Sequence, residues 1–319
     1  RKTELTLLVM TNFKKFFYKV FNKKRYQELK SLEKRTIVLE YYKTKILDKI
    51  IRYKKIIDSK KEINFLHSGH LGDIVYSFPL IKELSKNHTC NFYININKKM
   101  PVRYDNHPSG QVYLDKRIAG LFLPLVKSQK FINDAQIYEN QKIDINLDLF
   151  REVPIDIKFH STRWYMHLTG VSIDMSEPYL NVESHQHIKN NILIVRSPRY
   201  RNDFINYNFL NQTKEKIICV GIKDEFNDLK KTIKNLEFYD CKNFLELAQL
   251  IKSCRMFIGN ECFAYSVAEA LKVPRLLEAC PAFPVVFPIG GRAYDFYHQI
   301  HLENYFKKLY QETNEIKNW

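Results

Sequence analysis

Glycine is scarce in this sequence, nine among 319 residues, and neither Gly-x-Gly-x-x-Gly nor Gly-x-x-x-x-Gly-Lys-Ser/Thr occurs. A standard dinucleotide fingerprint and a P-loop are thereby disfavoured, because both need glycines where backbone N–H groups close on phosphate. No apolar run of about 20 residues is present, so no membrane span is expected. The start of the sequence has no charged region followed by an apolar core and a cleavage site, so no secretory leader is expected. Six cysteines (Cys90, Cys219, Cys241, Cys254, Cys262 and Cys280) form no Cys-x-x-Cys pair. In a chain of this length that usage fits reduced thiols in a cytosolic protein and gives no zinc site. His185-Gln186-His187 and His298-x-x-His301 lack a third ligand at useful spacing, so no metal is expected.

What the sequence has in excess is positive charge, +16 overall. Most of it is local: residues 1–62 hold 19 Lys/Arg against seven Asp/Glu, with no Pro and no Gly. Apolar residues recur there at helical spacing (Phe13, Phe16, Phe17, Val20, Phe21, then Ile37 to Ile51), which predicts two basic amphipathic helices. Three uses compete for this arm of residues 1–62. Its lysine stems can cover apolar protein surface. Residues 1–60 can dock on an anionic membrane surface. A basic face also permits nucleic-acid binding, but no zinc finger or RRM signature supports that partner, and nucleic acid is not expected.

From Ile63 the texture becomes alternating strands and helices. Strands are expected at Ile63–Leu66, Cys90–Ile96, Ala135–Tyr138 and Ile143–Leu149, and helices at Leu71–Ser85, Lys116–Ser128 and Phe159–Leu168. Pro79 should kink the first helix or start a second piece. Ser172–Lys189, with Pro178, reads as a linker. Strands at Ile192–Val195, Ile217–Val220, Met256–Ile258 and Leu276–Leu277 alternate with helices at Phe244–Lys252 and Ala264–Leu271, and Tyr294–Glu312 reads as a final helix. This order predicts an α/β chain of two doubly wound parallel sheets, one over residues 63–175 and one over 190–292, with a C-terminal helix over 293–319. Two such domains in series suggest a ligand cleft outside the carboxyl ends of their strands.

Three turns carry the candidate chemistry. The first, Ser68-Gly69-His70-Leu71-Gly72-Asp73, runs from a strand into a helix and offers backbone N–H groups and one carboxylate. Asp73 is either a helix N-terminal acid, favoured there by the macrodipole, or a reacting group. His67 and His70 flank this turn and either touch substrate or cap the strand end. The second, Gly259-Asn260-Glu261-Cys262-Phe263-Ala264, is again a strand meeting a helix N-terminus, where a pyrophosphate can bind. There Glu261 can accept hydrogen bonds from sugar hydroxyls or be an ordinary helix-start acid. The third, Arg196-Ser197-Pro198-Arg199-Tyr200-Arg201-Asn202, follows a strand and is either a bidentate phosphate site or a solvated basic loop.

Two of these stretches together are specific. Ser68-Gly69-His70-Leu71-Gly72-Asp73-Ile74-Val75 with Phe78-Pro79 resembles the N-terminal signature of glycosyltransferase family 9, the ADP-heptose:lipopolysaccharide heptosyltransferases and their relatives. Leu247–Ile251, Met256–Glu261 and Ala268-Glu269-Ala270-Leu271-Lys272-Val273-Pro274 resemble its C-terminal signature, in the right order. The resemblance runs from about Ile63 to Ile289 and leaves out the basic arm. It implies the GT-B fold, two Rossmann-like domains facing a cleft. It also implies an inverting, metal-independent glycosyltransferase with no cofactor besides a nucleotide-diphospho-sugar donor. The acceptor would be a glycan or glycolipid, met at the cytoplasmic face of a membrane during cell-surface glycan synthesis. On this resemblance Asp73 is the general base and Ser68, Gly69, His70 and Gly72 lie on the acceptor side. Arg196, Arg199 and Arg201, with Asn260, Glu261, Cys262, Phe263 and Ala264, lie on the donor side. Glu261 stands where the family usually has Asp, Phe263 where it has Gly, and Tyr76 where it has His. A GT-B-like nucleotide-sugar epimerase and a silent binding protein of the same fold are the alternatives.

Overall fold

The computed structural model describes residues 12–101, 107, 109–153, 160–280 and 285–315. Two sheets form, one of four strands in the order β3-β2-β1-β4 and one of six in the order β10-β9-β8-β5-β6-β7. The first comprises β1 (Glu62–His67), β2 (Thr89–Ile94), β3 (Asp134–Ile137) and β4 (Ile145–Asn146). The second comprises β5 (Ile192–Val195), β6 (Ile217–Val220), β7 (Leu236–Tyr239), β8 (Met256–Asn260), β9 (Arg275–Glu278) and β10 (Ala293–Phe296). All their pairings are parallel. Strands buried on both faces read as unbroken apolar runs, as Ile192–Val195 does, and such runs suit a sheet covered by helices on both sides.

Helices complete the layers. Those of the arm are α1 (Asn12–Phe21), α2 (Lys23–Tyr41) and α3 (Leu47–Ser59), with one π-turn at Tyr42–Ile46 joining α2 to α3. The first sheet carries α4 (Leu71–Leu84), α5 (Lys116–Lys127) and α6 (Ser161–Thr169). The second carries α7 (Lys223–Lys230), α8 (Phe244–Ser253), α9 (Phe263–Leu271) and α10 (Gln299–Glu315). Residues 170–191 connect the halves without helix or strand. One hydrophobic core runs from α3 through the first sheet and α4 into α8 and α9. A second lies on the far face of the six-stranded sheet, under α10. Phe78, Phe92 and Phe122 sit fully buried in the shared core, each worth about 1.5–3 kcal/mol for removal from water.

Four expectations change. First, α4 continues through Pro79 as one helix rather than starting a second piece there. Phe78, Leu80 and Ile81 are fully buried around it, so packing outweighs the lost backbone bond. Second, the strand expected over Ile143–Leu149 is only Ile145–Asn146. The Asn146 side chain accepts from the Asp148 N–H at 3.0 Å, an Asx turn that ends the strand and starts the 3₁₀ turn Leu147–Arg151. Third, Tyr294 is not helical: Ala293–Phe296 pairs with β9, and the last helix starts at Gln299. Fourth, α7, too polar to announce itself by periodicity, and β7, only four residues long, fill the stretch after β6. The helix expected from Phe159 has a start that lies outside the described residues, as do residues 1–11 of the arm.

The arm docks through the π-turn, whose Ile46 is fully buried in the core, and through α3. The Tyr53 hydroxyl donates to the Asn146 carbonyl at 2.8 Å and accepts from the Asn146 N–H at 3.1 Å. Lys49 pairs with Glu152 at 2.5 Å, and Lys60 pairs with Asp144. Along α2 the one buried residue is Glu33.

Candidate functional site

Each sheet has a topological switch point, where consecutive strands turn off in opposite directions and a crevice opens at their carboxyl ends. In the first sheet it lies between β1 and β4, in the second between β5 and β8. All three candidate turns leave from these two points.

At the first, β1 ends in His67 and β4 runs into Leu147–Arg151. The buried Asp148 carboxylate accepts from the Ser68 N–H at 3.0 Å and pairs with Lys98 at 2.8 Å and Arg151 at 2.9 Å. The other arm of the Arg151 guanidinium reaches Asp73, Nη2 to Oδ2, at 2.6 Å. Arg151 is stacked over the Phe150 and Tyr113 rings, with centroids 4.2 and 4.7 Å away. His67 receives the Gly69 N–H on Nδ1 at 2.9 Å and meets the Tyr165 hydroxyl through Nε2 at 2.8 Å. Tyr165 in turn donates to the Asp73 carbonyl at 2.9 Å. The Ser68 hydroxyl accepts from the Asn95 side chain at 3.0 Å. Any side chain at position 69 would run into Arg151 and His67, which explains Gly69.

The electrostatics follow from burial. His67 is driven down to about 4 by desolvation, with Asp148 opposing, so its ring is neutral at pH 7. Burial opposes ionisation of Asp148, but His67, Lys98, the Ser68 side chain and Arg151 outweigh it and hold the carboxyl well below its usual range. His70, the residue before α4, is also brought down to about 4, first by burial and then by Arg199 and His107 against Asp73.

At the second switch point Asn260, fully buried at the end of β8, grips the basic turn. Its side-chain oxygen accepts from the Ser197 N–H at 3.0 Å, and its amide donates to the carbonyls of Ser197 at 2.9 Å and Arg199 at 2.6 Å. The three arginines are not equivalent. Arg196 forms a two-pronged pair with the buried Glu278, 2.8 Å on each arm, and Glu278 also accepts from the Asn202 N–H and the Tyr207 hydroxyl. Arg201 binds Asp228 at 2.5 Å and the carbonyls of Ser197 and Arg196. Arg196 and Arg201 therefore brace the turn. Arg199 lies over the Tyr200 ring, 5.5 Å from its centroid, and Tyr200 takes a left-handed φ of 57° at the crest of the turn.

Other donor-side candidates fall into two groups. Cys262 and Ala264 flank the start of α9, and burial pushes the Cys262 thiol up to about 12, which disfavours its thiolate. Glu261 is buried and its Oε1 accepts from the Cys280 N–H at 3.0 Å. Burial raises its carboxyl to about 7 against that bond. The Phe263 ring packs on Phe244 at 4.8 Å and on Phe122 at 5.8 Å, joining α9 and α8 to α5 of the other half. Glu269 and Lys272 of the C-terminal signature form a buried ion group with Arg275, Arg275 Nε lying 2.6 Å from Glu269.

The two halves meet at the helix starts. Gly72 in the first turn of α4 lies against Ser266 in α9, where a Cβ on Gly72 would stand 3.8 Å from the Ser266 hydroxyl. Two helix N-termini thus converge beside Asp73, and two such dipoles favour a bound anion. The Arg199 charge of the second half adds to burial in lowering both His70 and His107 of the first. Sequence reasoning missed Arg151, Asp148, Lys98 and Glu278. The signal for Asp148 and Arg151 was their place directly after a parallel strand.

Among the described residues no three His, Cys, Asp or Glu side chains gather as metal ligands. His185 and His187 have ring centroids 6.2 Å apart, and His185 stands beside Tyr239 and Glu246.

No protein-family model matches this chain, and no curated protein sequence matches it. Solved structures do. The glycosyl transferase family 9 from Veillonella parvula matches with a TM-score of 0.52 at 14% identity, over 74% of this chain and 86% of that one. The E. coli ADP-heptose lps heptosyltransferase II matches with a TM-score of 0.54 at 11% identity, over 79% and 99%. The E. coli heptosyltransferase WaaC with ADP matches with a TM-score of 0.54 at 9% identity, over 79% and 99%. At these identities the likeness is one of fold, and the fold of this chain is the two-sheet GT-B arrangement of those transferases.

Proposed function

We propose that this chain is a glycosyltransferase of the family 9 type. It moves a sugar from a nucleotide-diphospho-sugar to a hydroxyl of a glycan or glycolipid, with inversion and with no metal taking part. The observation that carries the reading is the meeting of α4 and α9 at Gly72 and Ser266, with Asp73 on one side and Arg199 on the other. Such a place suits a reaction in which a hydroxyl loses a proton while a diphosphate gains charge.

In that reaction the acceptor oxygen attacks the anomeric carbon, its proton passes to the Asp73 carboxylate, and the bond from that carbon to the diphosphate breaks. A carboxylate within reach of the hydroxyl is the required base. Arg151 holds the carboxylate in one orientation, so positioning contributes as much as basicity. The leaving nucleoside diphosphate is stabilised by Arg199 and the N–H groups at the start of α9. Arg196, Arg201 and Asn260 keep Arg199 in place. Glu261 lies at the same end of β8 and supplies a hydrogen-bonding group for a ribose or sugar hydroxyl. The enzyme works in the cytoplasm at the inner face of a membrane, where glycolipid acceptors are presented.

The E. coli heptosyltransferase WaaC was solved with ADP, so ADP is the first probe. Titration calorimetry of the full chain with ADP, UDP, GDP and CDP, followed by donor turnover with and without acceptor, tests the reading. Binding of one nucleotide with acceptor-dependent release of diphosphate is expected. Donor turnover without acceptor would point to an epimerase, and binding without turnover to a silent scaffold.

A further inference from the structure

Helix α1 is built inside out for water. Phe13, Phe16, Phe17, Val20 and Phe21 fall at i, i+3, i+4, i+7 and i+8 and form one stripe. In a helix packed on its own protein that stripe would face inward. Here all five are exposed, Phe13 by 78% and Phe21 by 71%. Between Phe13 and Phe21 the part-buried residues are Lys15 and Tyr18, and the Lys15 ammonium pairs with Glu33 of α2 at 2.8 Å. The helix thus lies on α2 by its polar side and turns its aromatic side outward, the rings of Phe17 and Phe21 touching at 4.9 Å. An apolar patch of this kind marks an interaction surface.

Charge chooses the partner. Six basic residues (Lys14, Lys15, Lys19, Lys23, Lys24 and Arg25) and no acid stand between Asn12 and Gln27. Aromatics on one face with lysines on the other and at the end suit a bilayer interface: the rings enter the acyl boundary while the ammonium groups stay among anionic headgroups. No described helix is long and apolar enough to cross a membrane. A helix of this build lies in the plane of the surface.

We infer that α1 is a membrane-docking helix, seated on an anionic lipid bilayer through its outward phenylalanines. The rest of the arm carries this contact to the site. α2, the π-turn and α3 lead from α1 to Tyr53, which holds both the N–H and the carbonyl of Asn146. Asn146 is the residue that starts the turn bearing Asp148 and Arg151. The arm therefore fixes the Asp73 side of the cleft, rather than the Arg199 side, relative to the bilayer. That is the side on which a lipid-borne hydroxyl would arrive. Docking stands on the arm alone, and only this last step rests on the transferase reading.

Vesicle flotation of the full chain tests the inference, with phosphatidylcholine vesicles and with phosphatidylcholine–phosphatidylglycerol vesicles. The chain should float with the anionic vesicles and not with the neutral ones. The double variant Phe16→Ser, Phe21→Ser and the double variant Lys19→Glu, Lys24→Glu should each lower binding by about tenfold or more. Both pairs are exposed, so circular dichroism and ADP titration should match the parent chain. No flotation with anionic vesicles overturns the inference, as does flotation unchanged in the phenylalanine variant. Gel filtration showing a dimer that only the phenylalanine variant breaks, without vesicle binding, would assign the stripe to a second copy instead. Failure to bind any nucleotide removes the transferase reading and leaves the docking result standing.

Discussion

The Oδ2 atom of Asp73 lies 2.6 Å from Nη2 of Arg151, while Nη1 of the same guanidinium lies 2.9 Å from the buried Asp148. Arg151 is thus a bridge from a carboxylate at the cleft to one fixed in the protein. It stays ionised at any working pH and, stacked on Phe150 and Tyr113, has little freedom to release Asp73. The candidate base is aimed by this pair rather than by its own helix alone.

Replacing Asp73 by Asn keeps the shape of this pair but removes the proton acceptor. Transfer should fall by about 10²–10⁴-fold with nucleotide affinity unchanged, read by diphosphate release and calorimetry. Equal turnover in the variant would remove Asp73 as base.

Arg151→Met tests the bridge. Asp148 keeps Lys98 and the Ser68 N–H, so the chain should still fold, at a cost of about 1–3 kcal/mol in urea unfolding. Transfer should drop while nucleotide binding holds. Unaltered transfer would show that Asp73 needs no such anchor.

Phe263→Gly introduces the residue that the resemblance to family 9 leads one to expect at this place. Here it should open a cavity among Phe122, Phe244 and α9, costing on the order of 3–5 kcal/mol and a matching fall in thermal midpoint. A change below about 1 kcal/mol would mean the ring does not join the halves.

These residues show what could be read from the chain alone. The two strand–turn–helix signatures, the alternation of elements and the place of Asp73 were legible because parallel strands and helix starts leave local patterns. Arg151 was not, since its role depends on a strand cut short by Asn146 and on a contact spanning Asp73 to Arg151. The ion pair of Arg196 and the packing of Phe263 were not legible for the same reason. Glu278 and Phe122, which claim them, are far away in sequence and appear beside them only after folding. The arm was legible as amphipathic helix, but the direction of its apolar face was not, because periodicity fixes a stripe and not what the stripe faces.

Stability should respond to pH with two opposed slopes. His67 and His160 are buried, and burial first of all lowers each to about 4 from 6.5. The unfolded chain binds these protons sooner, so each costs stability as pH falls from 6.5 towards about 4, on the order of 3 kcal/mol below that range. Glu261 acts the other way. Its folded value of about 7 lies above 4.5, so its contribution is present below 4.5 and lost as pH rises through 7. Glu261→Gln should therefore be more stable than the parent above about pH 7, by on the order of 3 kcal/mol, and equal to it near pH 4. Urea unfolding across this range checks both, and a Gln variant with no gain at high pH would mean that Glu261 ionises without penalty.

The most direct measurement is calorimetric titration of ADP, UDP, GDP and CDP into the parent chain, Asp73→Asn and Arg199→Ala. One nucleotide should bind the parent and Asp73→Asn alike, and bind Arg199→Ala about 10–100-fold more weakly, the loss of a charge-assisted phosphate contact. No heat with any nucleotide at millimolar concentration, or an affinity indifferent to Arg199, would contradict the placement of a diphosphate between α4, α9 and the basic turn.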